Sequence, residues 1–192
     1  MPVIVIGLLI GSYLLGSIPN GYIICKLKKV DLRKVGSGNI GATNVYRALG
    51  FKWAALAGLL DVLKGVLPTL IALQILESEI LFLVVGMAAV AGHNWSIFMG
   101  FKGGRGVATT GGVVLVLMPW ISLVVVIIWA VIVKFTRYVS LGSISAAVVY
   151  PILAGIFAPL PYFIFTIILA AGIIFQHRPN IKRLLAGKEN RV

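Results

Sequence analysis

The sequence predicts an all-α integral membrane protein with about seven transmembrane helices, N-terminus outside and C-terminus inside. Three observations carry that expectation. The 192 residues are 60% hydrophobic, with a mean hydropathy of +1.06. Only 11% are charged, where a soluble domain carries about a quarter, so too little polar surface exists to cover a globule in water. The charge is also one-sided: 17 Lys and Arg stand against 5 Asp and Glu, a net charge of +12. The bases gather in the gaps between apolar runs, the pattern of a cytoplasmic membrane face. Such a face meets anionic membrane lipids or small phosphorylated substrates, and the distribution argues against nucleic acid.

The elements follow in order. The first apolar run is Pro2 to Cys25. No base precedes it and it is too long for a signal peptide. Lys26, Lys28 and Lys29 follow it, which sets the N-terminus outside. Cys25 is the only cysteine, so no intramolecular disulfide can form. The polar stretch Lys26 to Lys52 holds seven bases and one acid. The second run, Trp53 to Leu76, is interrupted by Asp61 and Lys64, and Glu77-Ser78-Glu79 turns the chain. The third, Ile80 to about Phe101, contains His93 and Asn94 and leads into the Gly- and base-rich segment Lys102 to Gly106.

Val107 to Val133 admits two readings. As one helix its 27 residues would reach about 40 Å at ~1.5 Å per residue. As a hairpin it turns at Met118-Pro119-Trp120. Pro119 removes a donor and crowds the preceding turn, and a hairpin returns Lys134 and Arg137 to the side of the other bases, so the hairpin is the expectation. Tyr138 to Phe157 and Tyr162 to Gln176 complete the apolar runs, parted by a turn at Ala158-Pro159-Leu160-Pro161, and the tail His177 to Val192 is basic. Every Lys and Arg except Lys64 then lies inside, and the outer loops hold Glu77 and Glu79 with no base. No internal repeat or linker interrupts the chain. Residues 1-192 read as a single multi-span domain with inner segments near 26-52, 98-112, 134-143 and 177-192.

Three inner segments carry the candidate chemistry. Gly36-Ser37-Gly38-Asn39-Ile40-Gly41-Ala42-Thr43-Asn44-Val45-Tyr46-Arg47 contains a formal GxGxxG, but no strand precedes it, so a dinucleotide fold is excluded. Its glycines still let backbone N–H groups face an anion, Ser37, Thr43 and Asn44 add neutral donors, and Arg47 adds a fork suited to phosphate. The second segment, Gly92-His93-Asn94-Trp95 through Lys102-Gly103-Gly104-Arg105-Gly106 to Gly112, has no Lys-Ser or Lys-Thr pair and is not a P-loop. It places Lys102 and Arg105 on either side of two glycines, just ahead of a helix. The third is His177-Arg178-Pro179-Asn180 and the basic residues after it, readable as a surface tail or as an inward-facing His177 and Asn180. Asp61 and Lys64, three apart on one helical face, either pair with each other or line a polar pocket open to the inner side. No spacing suits a metal.

These segments resemble the cytoplasmic motifs of the bacterial acyl-phosphate:glycerol-3-phosphate acyltransferases, the PlsY family. Gly-Ser-Gly-Asn-Ile-Gly-Ala-Thr-Asn (36–44), Lys-Gly-Gly-Arg-Gly-Val-Ala-Thr (102–109) and His-Arg-Pro-Asn-Ile-Lys-Arg-Leu (177–184) carry the likeness, which runs from Gly-Ser-Ile-Pro (16–19) to the tail. Arg105 stands where that family often has Lys, and Gly-Lys-Glu (187–189) stands where Gly-Thr-Glu is common. Arg-Tyr-Val-Ser-Leu-Gly-Ser (137–143) is similar too and adds Ser140 and Ser143 as candidates. The resemblance implies a bacterial cytoplasmic (inner) membrane enzyme with its active site on the cytoplasmic face. It would move a fatty acyl group from acyl phosphate, not acyl-CoA, to the 1-hydroxyl of glycerol 3-phosphate, with no cofactor and no metal. The phosphate-binding set it implies is Ser37, Gly38, Asn39, Thr43, Asn44, Arg47, Lys102, Gly103, Gly104, Arg105, Ser143, His177 and Asn180. Catalytic candidates are His177, Lys102, Ser37 and Asp61. The proton acceptor is left among His177, Asp61 and a substrate phosphate oxygen, and direct transfer competes with an acyl-Ser37 intermediate. A carrier of phosphorylated solutes is the alternative function for the same basic face, separable from an enzyme by turnover in detergent.

Overall fold

A computed structural model describes residues 1–192, all helix and connecting loop without a strand. The chain forms two compact units, Met1–Val116 and Leu117–Val192. Five stretches are long and apolar enough to cross a membrane, and a sixth counts if one bent pair is a single span.

In the first unit α1 (Pro2–Ser17) and α2 (Asn20–Leu27) share one apolar run that breaks at Ile18. Pro19 forces the residue before it toward extended backbone, and Ile18 has φ −61° and ψ 117°. A short helix α3 (Ala42–Leu49) leads through Gly50 into α4 (Phe51–Ile75), and the Glu77-Ser78 turn opens α5 (Glu79–Asn94). At about 1.5 Å per residue α4 reaches roughly 37 Å, more than a ~30 Å hydrocarbon core. The third apolar run, Ile80 to about Phe101, corresponds to a stretch, Glu79–Met99, long and apolar enough to cross a membrane, without being one unbroken α-helix. The α-helix ends at Asn94, and a 3₁₀ turn, Ile97–Met99, begins the Gly-rich loop.

Small residues let α1 and α5 pack backbone to backbone. A Cβ at Gly16 would strike the Ala89 carbonyl, and one at Gly92 the Tyr13 carbonyl. Ser12 Oγ donates to Val85 O at 2.6 Å, Tyr13 Oη to Trp95 O at 2.7 Å and Ser96 Oγ to Ser17 O at 2.5 Å.

The break at Ile18 leaves a carbonyl outside the helical ladder. It accepts from Asn20 N–H at 3.1 Å and from Lys64 Nζ at 2.9 Å. Lys64 pairs with Asp61 Oδ1 at 3.0 Å, and Asn20 Nδ2 donates to the same oxygen at 3.0 Å. Asp61 and Lys64 are 2% and 4% exposed. Of the two sequence readings, the structure shows the pair, and Lys64 supplies a donor to the carbonyl that the break leaves open.

The unit boundary falls within the ambiguous stretch. The break occurs at Met118, between α6 (Val107–Leu117) and α7 (Pro119–Thr136), as Pro119 led us to expect. At ~1.5 Å per residue, the 11 residues of α6 cover about half of a hydrocarbon core. In the second unit α8 (Val139–Phe157) packs against α7 and α9 (Leu160–Gln176). Ser122 and Tyr150 share a hydrogen bond of 2.8 Å, and Gly142 fits beneath Trp129 and Val133. Pro159 and Pro161 start α9 at Leu160, just ahead of the expected Tyr162, since proline suits a first turn. The chain then bends by 60° into α10 (Arg178–Leu185).

Candidate active site

α4 and α5 are antiparallel neighbours joined by a short turn, so the start of α4 and the end of α5 lie at one end of the first unit. Both Gly-rich segments emerge there. Gly36 and Gly38 have φ +53° and +69°, a region where a side chain is strained. The turn they make is moulded on Asn44, 1% exposed on α3. Ser37 N–H donates to Asn44 Oδ1 at 3.1 Å, and Asn44 Nδ2 donates to Leu32 O and Val35 O at 3.1 and 2.9 Å. Asn39 Oδ1 accepts the Gly41 N–H at 2.8 Å and starts α3. Both Asn44 N–H groups are thus engaged by the loop. Ser37, Gly38, Asn39 and Thr43 are half-buried around that frame, and Arg47 rises from α3 one turn on.

The second segment folds over the end of α5. Gly104 N–H donates to His93 O at 3.0 Å, capping a carbonyl that a helix end leaves open. Gly103 and Gly104 lie so close to His93 that neither could carry a Cβ. Lys102 is exposed, Arg105 half-buried.

In the second unit the start of α8 and the end of α9 share an end. His177 is 2% exposed and its Nδ1 lies 2.8 Å from Ile173 O. A carbonyl only accepts, so Nδ1 carries the proton and Nε2 is the basic ring nitrogen. Asn180, 1% exposed, donates from Nδ2 to Glu189 Oε1 at 2.7 Å. Ser143 Oγ donates to Val139 O at 2.9 Å and accepts from Trp129 Nε1 at 3.4 Å. No group of three or more His, Cys, Asp or Glu could hold a metal ion.

A family model described as glycerol-3-phosphate acyltransferase matches residues 6–187. The chain belongs to that family. It is 48% identical over 183 residues to the glycerol-3-phosphate acyltransferase of Thermoanaerobacter pseudethanolicus, covering 94% of this chain and 92% of that one. Among solved structures it is similar to PlsY (YgiH), an integral membrane glycerol 3-phosphate acyltransferase. The glycerol 3-phosphate form matches at 46% identity with a TM-score of 0.94, covering 98% of this chain and 95% of that one. The lysophosphatidic acid form matches at 44% and 0.91, covering 97% and 94%.

In this acyltransferase the structure gathers Ser37, Gly38, Asn39, Thr43, Asn44 and Arg47 on one loop and helix, and Lys102 to Arg105 on another. Asp61 belongs with the buried ion pair. Sequence reasoning gave no role to Glu189, the one acid in the basic tail. Its side chain is 4% exposed and accepts from Arg183 Nε at 2.7 Å, Asn180 Nδ2 at 2.7 Å and Ser140 Oγ at 3.1 Å. The signal was available, since a lone carboxylate among bases marks an ion pair.

Burial alone would raise the Glu189 carboxyl. The hydrogen bonds from Arg183 and Asn180, the charge of Arg183 and the Ser140 hydroxyl outweigh it and hold the carboxyl below its usual range. A carboxyl lowered on folding stabilises fully above its unfolded value of about 4.3, and that contribution fades as pH falls through the lowered one. Glu189→Gln should therefore cost about 1–3 kcal/mol at neutral pH by leaving a charged partner unmatched. The cost should shrink toward pH 3. Thermal unfolding of both forms from pH 7 to 3 reads it, and parallel profiles would contradict it.

Proposed function

We propose that the protein transfers a fatty acyl group from acyl phosphate to the 1-hydroxyl of glycerol 3-phosphate, giving lysophosphatidic acid and inorganic phosphate. The observation that carries this is whole-length likeness to an enzyme solved with the acceptor and with the product. The acceptor oxygen attacks the acyl carbon, the bond from that carbon to the phosphate oxygen breaks, and the phosphate departs with the electron pair. Acyl phosphate is a mixed anhydride with a good leaving group, so positioning and charge stabilisation suffice. Ser37, Gly38, Asn39, Thr43 and Arg47 hold phosphate on the first loop, and Lys102, Gly103, Gly104 and Arg105 on the second. Lys102 or Arg105 meets the leaving phosphate. Ser143 and His177 are the phosphate-binding candidates of the second unit. Asn44 and Asn180, whose amides serve the Ser37 loop and Glu189, hold their surroundings in shape. We assign the hydroxyl proton to His177, whose Nε2 is the basic ring nitrogen when Nδ1 donates to Ile173 O.

The same reading includes topology. We take α6 as the short seventh crossing, which puts the N-terminus outside, the C-terminus inside and the active site on the cytoplasmic face of a bacterial inner membrane. The support is the separation of bases from Glu77 and Glu79 along the chain.

The test is phosphate release by purified protein given palmitoyl phosphate and glycerol 3-phosphate, with palmitoyl-CoA as a parallel donor. Release only with acyl phosphate, dependent on glycerol 3-phosphate and matched by lysophosphatidate, is the expected result. Folded protein that turns over neither donor would favour a carrier of phosphorylated solutes. Protein acylated when glycerol 3-phosphate is withheld would replace direct transfer with an acyl-Ser37 route.

A further inference from the structure

We infer that His93 is a positioning residue: its imidazole is the floor on which the Lys102–Arg105 loop rests, packed between that loop and the buried Asp61–Lys64 pair without a hydrogen bond to it. This deepens the functional reading above and rests on it for what the loop binds.

His93 is 5% exposed at the end of α5. Two sides of it are defined. On one, Nδ1 lies 3.9 Å from Asp61 Oδ1. Asp61 cannot swing away, because Lys64 and Asn20 both hold the same oxygen at 3.0 Å. Lys64 is in turn tied to Ile18 O at the break in the first span. On the other side the ring faces Gly104. A Cβ built there would overlap Nε2, with Cε1 and Cδ2 at 2.8 and 2.9 Å, and those three ring atoms are its nearest neighbours. The Gly104 backbone is also bonded to the His93 carbonyl at 3.0 Å. The ring is a rigid spacer between a fixed carboxylate in α4 and the middle of the loop that carries Lys102 and Arg105. Moving the ring moves the loop.

The geometry dictates an unusual compensation. Gly104→Ala fails because its methyl meets the imidazole, so the methyl becomes tolerable once the ring is gone. Gly104→Ala should lower kcat/KM by about 100-fold, the scale of an ~1 Å misplacement, and His93→Ala by about tenfold. The double variant should be no worse than His93→Ala alone, since contacting sites are not additive. KM for at least one phosphate substrate should rise several-fold, whereas a merely structural defect lowers the active fraction and leaves KM unchanged.

The experiment is this cycle, His93→Ala, Gly104→Ala and both together, assayed with acyl phosphate and glycerol 3-phosphate beside the unaltered protein. Thermal unfolding of the same four proteins reads the 93–104 contact without reference to activity, so an inactive parent would sink the functional reading while the contact is still tested. His93→Gln replaces His93→Ala should the latter not fold, since its flexible chain can also yield to the methyl. Losses that multiply to about 1,000-fold, or an unimpaired His93→Ala, overturn the proposal.

Discussion

Lys102→Met should lower kcat/KM by about 10²–10³-fold while leaving the fold intact, the usual cost of removing one group that meets developing charge. The separation of activity from stability is the point. Of the five acids, Asp31 is paired with Arg33, Asp61 with Lys64 and Glu189 with Arg183. Glu77 and Glu79 lie at the opposite end of α4 and α5 from the Gly-rich loops. No carboxylate pairs with the exposed Lys102 ammonium, so its loss breaks no ion pair. A charge held on a glycine-rich loop without a partner of its own is available to a phosphate. Lys102→Arg should recover part of the activity, because it keeps the charge and alters the fork. Steady-state kinetics with acyl phosphate, beside unfolding midpoints in detergent, check both. Activity within about twofold of the parent for Lys102→Met would remove Lys102 from the reaction.

Asp61→Leu should be the most destabilising single change in the first unit, costing about 3–5 kcal/mol, because it leaves Lys64 charged and buried without a counter-ion. Asp61→Leu combined with Lys64→Leu should regain most of that loss. What remains is the Ile18 carbonyl, deprived of the Lys64 donor, at about 1–3 kcal/mol. The pair also decides the role of Asp61. If its work is to close the broken span, the folded double variant still turns over substrate, with a loss no larger than that of His93→Ala. If Asp61 accepts the hydroxyl proton, the double variant is stable and inactive. Denaturation in detergent together with turnover separates the two.

Legibility differed by the kind of interaction. Pro119 marked the break at Met118, Pro19 lies at the break at Ile18, and Asp61 with Lys64 at a spacing of three announced a shared face. All of these are local. The third apolar run extends past α5, because apolar character persists through Ile97, Phe98 and Met99 after regular α-helical geometry has stopped. Hydropathy reports where a residue can sit, not what its backbone does. Asn44 read as a phosphate donor because its type and position suit one. Its actual partners, Leu32 and Val35 carbonyls, lie on a preceding stretch that returns only when the loop closes. Glu189 was passed over although Arg183 and Asn180 lie nearby in sequence; only its bond from Ser140, 49 residues away, was beyond a local pattern.

Composition, the one-sided charge and the run lengths determined that this chain is an all-helical membrane protein with a basic, glycine-rich set of loops, and its three motifs determined the family. These are sums over residues or short-range patterns, and they survive without knowing which helices touch. Only the tertiary structure decided that Lys64 completes the Ile18 carbonyl, that Asn44 moulds the Ser37 turn, that Glu189 orients Asn180 and that His93 lies under Gly104. Lys64 and Ile18 are 46 residues apart, and the other pairs meet across loops whose course the pattern does not state. Such distances are set by how the loops close and how the helices pack, and a linear pattern does not contain them.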